Sequence, residues 1–210
     1  MKPIVLSLLV LFAVAFFLRN VFGFLKIMFK AKRPSFRTDQ IFERVKGLII
    51  YVFGQKRILK NYTWAGIEHF MLFWGFMIIT IGSLELVVLG FVPGFEAFGF
   101  LGGEAQEMFL LTLDIVQSLV IVALVMGVLN RTVIPSGKRR EVNSIDAVVI
   151  LGMIFGLMVT DFGFRASKIA LGTEPASWLP VSSMWATFFL SNVDVATAAF
   201  STEFFYWIHV

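Results

Sequence analysis

The sequence predicts an all-α membrane protein: a bundle of four complete transmembrane helices plus the start of a fifth, with an interfacial amphipathic helix. Three observations carry that prediction. Of the 210 residues, 58% are hydrophobic and the mean hydropathy is +0.85, well above the composition of soluble domains. Four apolar runs reach the roughly 20 residues that a helix needs to cross a hydrocarbon layer of about 30 Å. Basic residues gather in two of the connections between those runs. The chain reads as a single transmembrane domain over 1–210.

The first run, Pro3–Leu25, follows Lys2 and contains Ala13-Val14-Ala15, so its start resembles a signal peptide. It continues past that point and is too long for a cleaved apolar region, so it reads as a retained helix. Next, IFERVKGLIIYVF (41–53) puts Ile41, Phe42, Val45, Leu48, Ile49, Val52 and Phe53 on one helical stripe, with Arg44 and Lys46 outside it. It reads as a helix on the cytoplasmic membrane surface with Gly54 as its C-cap; a loop helix packed on the bundle would have nearly the same geometry. The second span, Trp64–Val92, ends at Pro93-Gly94, and the glycine-rich stretch to Gly103 reads as a turn. The third span is Gln106–Asn130. The fourth is Ile145–Phe164, with Ser144 as N-cap and Asp146 favoured by the helix dipole in the first turn.

Beyond it the pattern is mixed. Trp178, Pro180 and Trp185 suit an aromatic interfacial belt, and Met184–Val195 is expected to form a short helix. Asp194 reads as a solvated loop residue. A fifth apolar helix is expected from Ser201 to Val210. At about 15 Å it would be too short to span, which implies a domain truncated within that helix.

Topology follows from charge. Ten lysines and arginines lie between Lys26 and Lys60, and Arg131, Lys138, Arg139 and Arg140 follow the third span, whereas 93–105 carries Glu96 and Glu104 and no basic residue. The positive-inside rule then places loops 26–63 and 131–144 in the cytoplasm and the N-terminus outside. With a net charge of +4 and no nucleic-acid motif, these residues read as topology signals, and nucleic acid is not an expected partner. Zero cysteines exclude disulfides, thiolate zinc sites and any iron–sulfur cluster ligated by thiols of these residues.

The chemistry-bearing residues stand out against this apolar background. Both histidines, His69 in WAGIEHFMLFWGFMII and His209 in FFYWIHV, sit in apolar sequence. An imidazole there is either a functional group, with haem iron ligation the best-matched chemistry, or a histidine bonded to a neighbouring helix or lying at the interface. From the expected helix ends, His69 lies roughly 7 Å inside one membrane face and His209 roughly 12 Å inside the other. Their levels would then differ by about 10 Å, too far for one iron and consistent with two. Gly66, one turn before His69, would let a planar ring approach the backbone, and Phe73 and Phe76 continue that face; the same residues are ordinary packing material. Glu85, Asp114 and Gln117 fall in the outer halves of their spans. There they could supply the proton acceptor and hydrogen-bond donor of a quinone site, or bond helix to helix. Asp161 and Arg165, four apart, read as a helix-end ion pair.

Several segments together carry a family resemblance: FGQKR (53–57), GIEHFMLFWGF (66–76), Pro93-Gly94 after the second span, DAVVILGMIFGLMVTDF (146–162) and WIH (207–209). In these the chain resembles the five-helix cytochrome b domain of the respiratory nitrate reductase gamma subunit. It is most similar to the version at the N-terminus of heterodisulfide-reductase-like iron–sulfur oxidoreductases, of the electron-transfer-flavoprotein:menaquinone oxidoreductase type. The resemblance implies b haems held by histidines of the second and fifth spans, His69 at the cytoplasmic-side position and His209 at the outer one. The family's second histidine in helix two would fall near Ile79, and its second in helix five beyond Val210; the first departure weakens the implied outer haem.

The resemblance also implies menaquinone as substrate, a cytoplasmic iron–sulfur domain beyond residue 210 or on a partner, an electron-transfer flavoprotein as donor, and a bacterial or archaeal cytoplasmic membrane. The expected function is therefore a membrane haem b module of an oxidoreductase, linking that donor to the quinone pool. A haem-free anchor for a cytoplasmic oxidoreductase is the main alternative. A small transporter is the other, opposed by the lack of paired broken helices and of central charges.

Overall fold

With no water to bond its amides, backbone at membrane depth must pair with itself, and these apolar runs do so as helices. The structure, a computed structural model, describes residues 2–30, 39–60, 64–132 and 145–210, and no strand occurs among them. The expected N-cap Ser144 lies outside the described residues.

Four helices are long and apolar enough to cross a membrane: α1 (Lys2–Lys30), α4 (Trp64–Leu89), α5 (Gly103–Thr132) and α6 (Ile145–Ala170). Between the first two lie α2 (Ile41–Leu48) and the single turn α3 (Lys56–Leu59). After α6 come α7 (Pro180–Leu190) and α8 (Val195–His209). Helices α1, α5 and α6 run longer than their apolar runs, α6 because Arg165 and Ser167 are polar yet buried, whereas α4 ends at Leu89, three residues before the expected Val92.

The stripe over 41–53 does form helix, but none of its residues is buried and its character changes at Leu48. From Ile49 to Phe53 it widens, and the Gly54 N–H reaches back five residues to the Ile49 carbonyl at 2.8 Å. Gly54 is required there because a Cβ would stand 2.7 Å from the Ile50 carbonyl oxygen. Gly54 is the C-cap, as expected, at φ −74°, and the left-handed residue that breaks the chain direction is the next one, Gln55, at φ 47°.

The last two elements also differ from expectation. Helix α7 starts at Pro180, four residues before the predicted Met184, with proline in its first turn where no N–H is needed. Helix α8 starts at Val195, six residues before Ser201, because Asp194 accepts the Thr197 N–H at 3.3 Å and caps it. Asp194 is thus an exposed N-cap rather than a loop residue. The Thr197 side chain and backbone hold its carboxyl below the usual aspartate range.

Packing sorts the helices into a pair and a group of three. Helix α4 lies on α5, where Gly82 admits Leu113, whose Cδ2 would be 2.8 Å from any Cβ at that position. Helix α6 lies between α7 and α8, with Gly163 admitting the ring of Phe205 and Phe162 stacked on Trp185 at 5.7 Å. Ile79, Phe109, Leu113, Val120, Leu124 and Met158 form the core joining the two. Helix α1 attaches near its start only. Leu6 is buried against Gly90 and Tyr206, Lys2 bonds Glu203 at 2.8 Å, and the rest of α1 presents Phe12, Phe16, Phe24 and their neighbours outward.

Candidate functional site

A groove of about 340 Å³ opens between α4 and α6 and ends at His209. Its walls are apolar: Leu72, Phe76, Ile79 and Leu84 from α4, Val120 from α5, and Ile154, Leu157 and Met158 from α6. The polar groups are Thr80, Ser83 and the imidazole. Thr80 donates its hydroxyl to the Phe76 carbonyl at 2.7 Å, so its hydrogen is committed to its own helix.

His209 is 8% exposed, and both ring nitrogens meet hydroxyls: Nδ1 with Thr160 Oγ1 at 3.0 Å, Nε2 with Ser83 Oγ at 3.1 Å. Thr160 Oγ1 also lies 3.0 Å from the backbone carbonyls of Gly156 and Leu157. With the hydroxyl hydrogen on a carbonyl, its oxygen accepts from Nδ1–H and Nε2 receives the Ser83 hydroxyl beside the groove; with the hydrogen on Nδ1, Nε2–H donates to Ser83. The first arrangement, a neutral imidazole with Nδ1–H anchored, is the form in which histidine ligates a metal through Nε2.

His69 occupies the same line of α4. Successive helical residues turn by about 100°, so Phe76, Thr80 and Ser83 point within about 40° of its direction. Its side chain is exposed, and among the described residues it makes no hydrogen bond. Gly66, by contrast, is buried, as is Glu68 at 9% exposure, so the glycine packs into the bundle while the imidazole faces out. Since His209 bonds Ser83, fourteen residues above His69, the two imidazoles stand about 21 Å apart along α4. That is twice the separation expected from sequence, because His209 meets α4 at Ser83, near the outer end of that helix. One iron cannot join them. Across from His209 stands Ser83, with Ile79 one turn away and buried in the groove wall.

The three polar candidates are all engaged. Asp114, fully buried, accepts the Val181 N–H at 2.6 Å and the Ser182 N–H at 3.1 Å, and takes the Ser182 hydroxyl at 2.5 Å. It caps α7 from another helix, satisfying amides that proline at N1 leaves exposed. Gln117 donates to Asp161 across the α5–α6 boundary. Glu85 accepts Gln106 Nε2 at 2.5 Å and the Ala97 N–H at 3.0 Å, tying the 90–102 connection to α4.

Sequence reasoning missed the centre of this polar set. Arg165, 2% exposed, pairs with Asp161 at 3.0 Å as its i,i+4 spacing indicated. It also faces Glu85 at 3.9 Å and Glu174 at 3.7 Å, while Lys168 bonds Glu174 at 2.7 Å. An arginine inside an apolar helix was the available signal; its remote partners had none. Among the described residues no group of three or more His, Cys, Asp or Glu side chains that could hold a metal ion occurs.

Two curated proteins are similar to this chain. The probable iron–sulfur-binding oxidoreductase FadF of Bacillus subtilis (strain 168) is 28% identical over 173 residues, 82% of this chain and 24% of that protein. The EtfAB:quinone oxidoreductase of Syntrophomonas wolfei subsp. wolfei is 22% identical over 204 residues, 90% of this chain and 28% of that protein. The chain thus spans about a quarter of the length of the curated relatives it matches. No family model matches, and no solved structure matches.

Proposed function

We propose that these residues form the membrane electron-transfer module of a quinone-linked oxidoreductase, with b-type haem held at the levels of His69 and His209. The observation that carries this reading is the placement of His209: Nδ1 meets Thr160, and Nε2 meets Ser83 at the end of an apolar groove on the line of His69. The residues fit the group at both levels. At His209 the Ser83 hydroxyl is displaceable by rotation about one bond, and at His69 no internal bond competes for the ring. Haem supplies one-electron chemistry when bound. The protein supplies the imidazoles, the orientation of one of them, and walls of leucine, isoleucine and phenylalanine that keep water out.

The relatives support the same direction. One is named as an iron–sulfur-binding oxidoreductase and the other as an EtfAB:quinone oxidoreductase. Without cysteine in these 210 residues, any thiolate-held cluster sits in a further domain or a partner. By the positive-inside rule the 90–102 end of the bundle faces outside and His69 lies toward the cytoplasm. Electrons from a cytoplasmic iron–sulfur or flavoprotein donor then meet the His69 level first. Menaquinone is the implied quinone. Of the three residues proposed for its site, Glu85 lines a cavity, while Asp114 and Gln117 are held in bonds between helices.

One observation favours a second reading, a haem-free anchor: the same two hydroxyls leave His209 fully satisfied as a link between α4, α6 and α8. The two readings separate on a pyridine haemochrome assay of the purified protein. The account expects b-type haem at two per chain; protein that folds and inserts with no Soret absorption leaves the anchor.

A further inference from the structure

Toward the 90–102 end, a second and smaller cavity of about 90 Å³ lies among Glu85, Gln106, Arg165, Lys168 and Glu174. Two buried polar atoms there have no hydrogen-bond partner, Arg165 Nη2 and Glu174 Oε2. The ion pairs that span it are too long for direct hydrogen bonds, at 3.9 Å from Arg165 to Glu85 and 3.7 Å from Arg165 to Glu174. A buried donor and a buried acceptor left unpaired cost about 1–3 kcal/mol each, more when charged. Gaps of that length between charged groups are the usual signature of a bridging water.

Size chooses the occupant. A cavity of about 150 Å³ is what admits a benzene ring, whereas one water needs only about 10–15 Å³. At about 90 Å³ the space is too small for a quinone ring and ample for several waters. We propose that this cavity holds a cluster of ordered waters bridging Arg165, Glu85 and Glu174, and that the cluster conducts protons between the aqueous surface at the 90–102 end and the buried carboxylate of Glu85. The facing charges are Glu85 from α4, Glu96 and Glu174 from the connections, and Arg165 and Lys168 from α6, with Asp161 on the other side of the Arg165 guanidinium. Glu96, the exposed carboxylate of the lining, takes the proton from solvent, and water passes it inward past Glu174 to Glu85. A proton is relayed and nothing is oxidised or reduced. The use of such a path by quinone chemistry rests on the function proposed above; the water cluster does not.

Phe164 and Phe162 make a matched pair for the test, at 3% and 0% exposure, the first lining the cavity and the second away from it. Radiolytic hydroxyl labelling of the full chain in nanodiscs, read by mass spectrometry, is expected to modify Phe164 at least about fivefold faster than Phe162. Replacing Leu110, in the cavity wall, by tryptophan should bring the two rates together; Leu89→Trp, nearer the helix end, serves if the first variant fails to insert. Infrared-detected deuterium exchange on guanidino-labelled arginine reads the path, and no slow arginine component is expected. Equal labelling of the two phenylalanines overturns the water cluster. Fast labelling with one arginine unexchanged after hours overturns the proton path. Neither readout involves haem, so either can fail while the electron-transfer reading stands.

Discussion

At the residue scale the account turns on how one imidazole is held. His209 was visible in the sequence as a histidine in apolar surroundings, but Thr160 and Ser83 were not visible as its partners, since they lie 49 and 126 positions away. Threonine within a membrane helix normally bonds its own i−4 carbonyl, and Thr160 does so too; only the tertiary structure adds the ring. Thr160→Val removes the hydroxyl that meets Nδ1. Outer-sphere partners of metal-bound histidines are worth about 10–100-fold in affinity, so haem at His209 should dissociate at least about tenfold more readily, measured by transfer to an apo-haemoprotein acceptor. Unchanged transfer would show that Thr160 does not orient the ligand. Asp194 gives a second residue-scale prediction. Its carboxyl titrates below the ordinary aspartate value, so the cap is fully present above pH 4 or so and weakens only as pH falls through the lowered value. Amide exchange at Ala196–Ala198, corrected for its intrinsic pH dependence, should be flat between pH 5 and 8 and should accelerate in Asp194→Ala.

At the scale of elements, what the sequence made legible was whatever depends on local pattern. Four spans were readable because about 20 consecutive apolar residues have few soluble alternatives. The pair Asp161–Arg165 was readable because its spacing is one helical turn. The start of α8 was not, because Val195-Ala196-Thr197-Ala198-Ala199 lacks a strong apolar stripe and its cap is a single aspartate. Nor was the origin of α7, which depends on Asp114 from a different helix, 67 and 68 positions from the amides it accepts. That carboxylate can be tested apart from any cofactor. Asp114→Ala leaves two amides and a buried hydroxyl unpaired, which should cost about 2 kcal/mol. Exchange at Val181 and Ser182 should then rise by about 30-fold with α4 unaffected. If α7 keeps its protection, some other group caps it.

At the scale of the whole molecule, the α4–α5 pair and the α6–α7–α8 group leave a groove that ends at His209, and His69 lies outside its lining, about 21 Å away along α4. Sequence reasoning reached the existence of two levels but placed them only about 10 Å apart, because the level of His209 is set by its contact with Ser83, 126 positions away. The apolar walls serve ligation and the buried Arg165 cluster serves the opposite need, a polar connection to one surface. The central claim is that each histidine ligates its own haem. Potentiometric titration of the reduced-minus-oxidised b-haem spectrum tests it most directly, on the wild-type chain and on His69→Ala and His209→Ala in membranes. The account predicts that each variant loses a different titrating component while the other keeps its midpoint. A full, unaltered spectrum in either variant would contradict it.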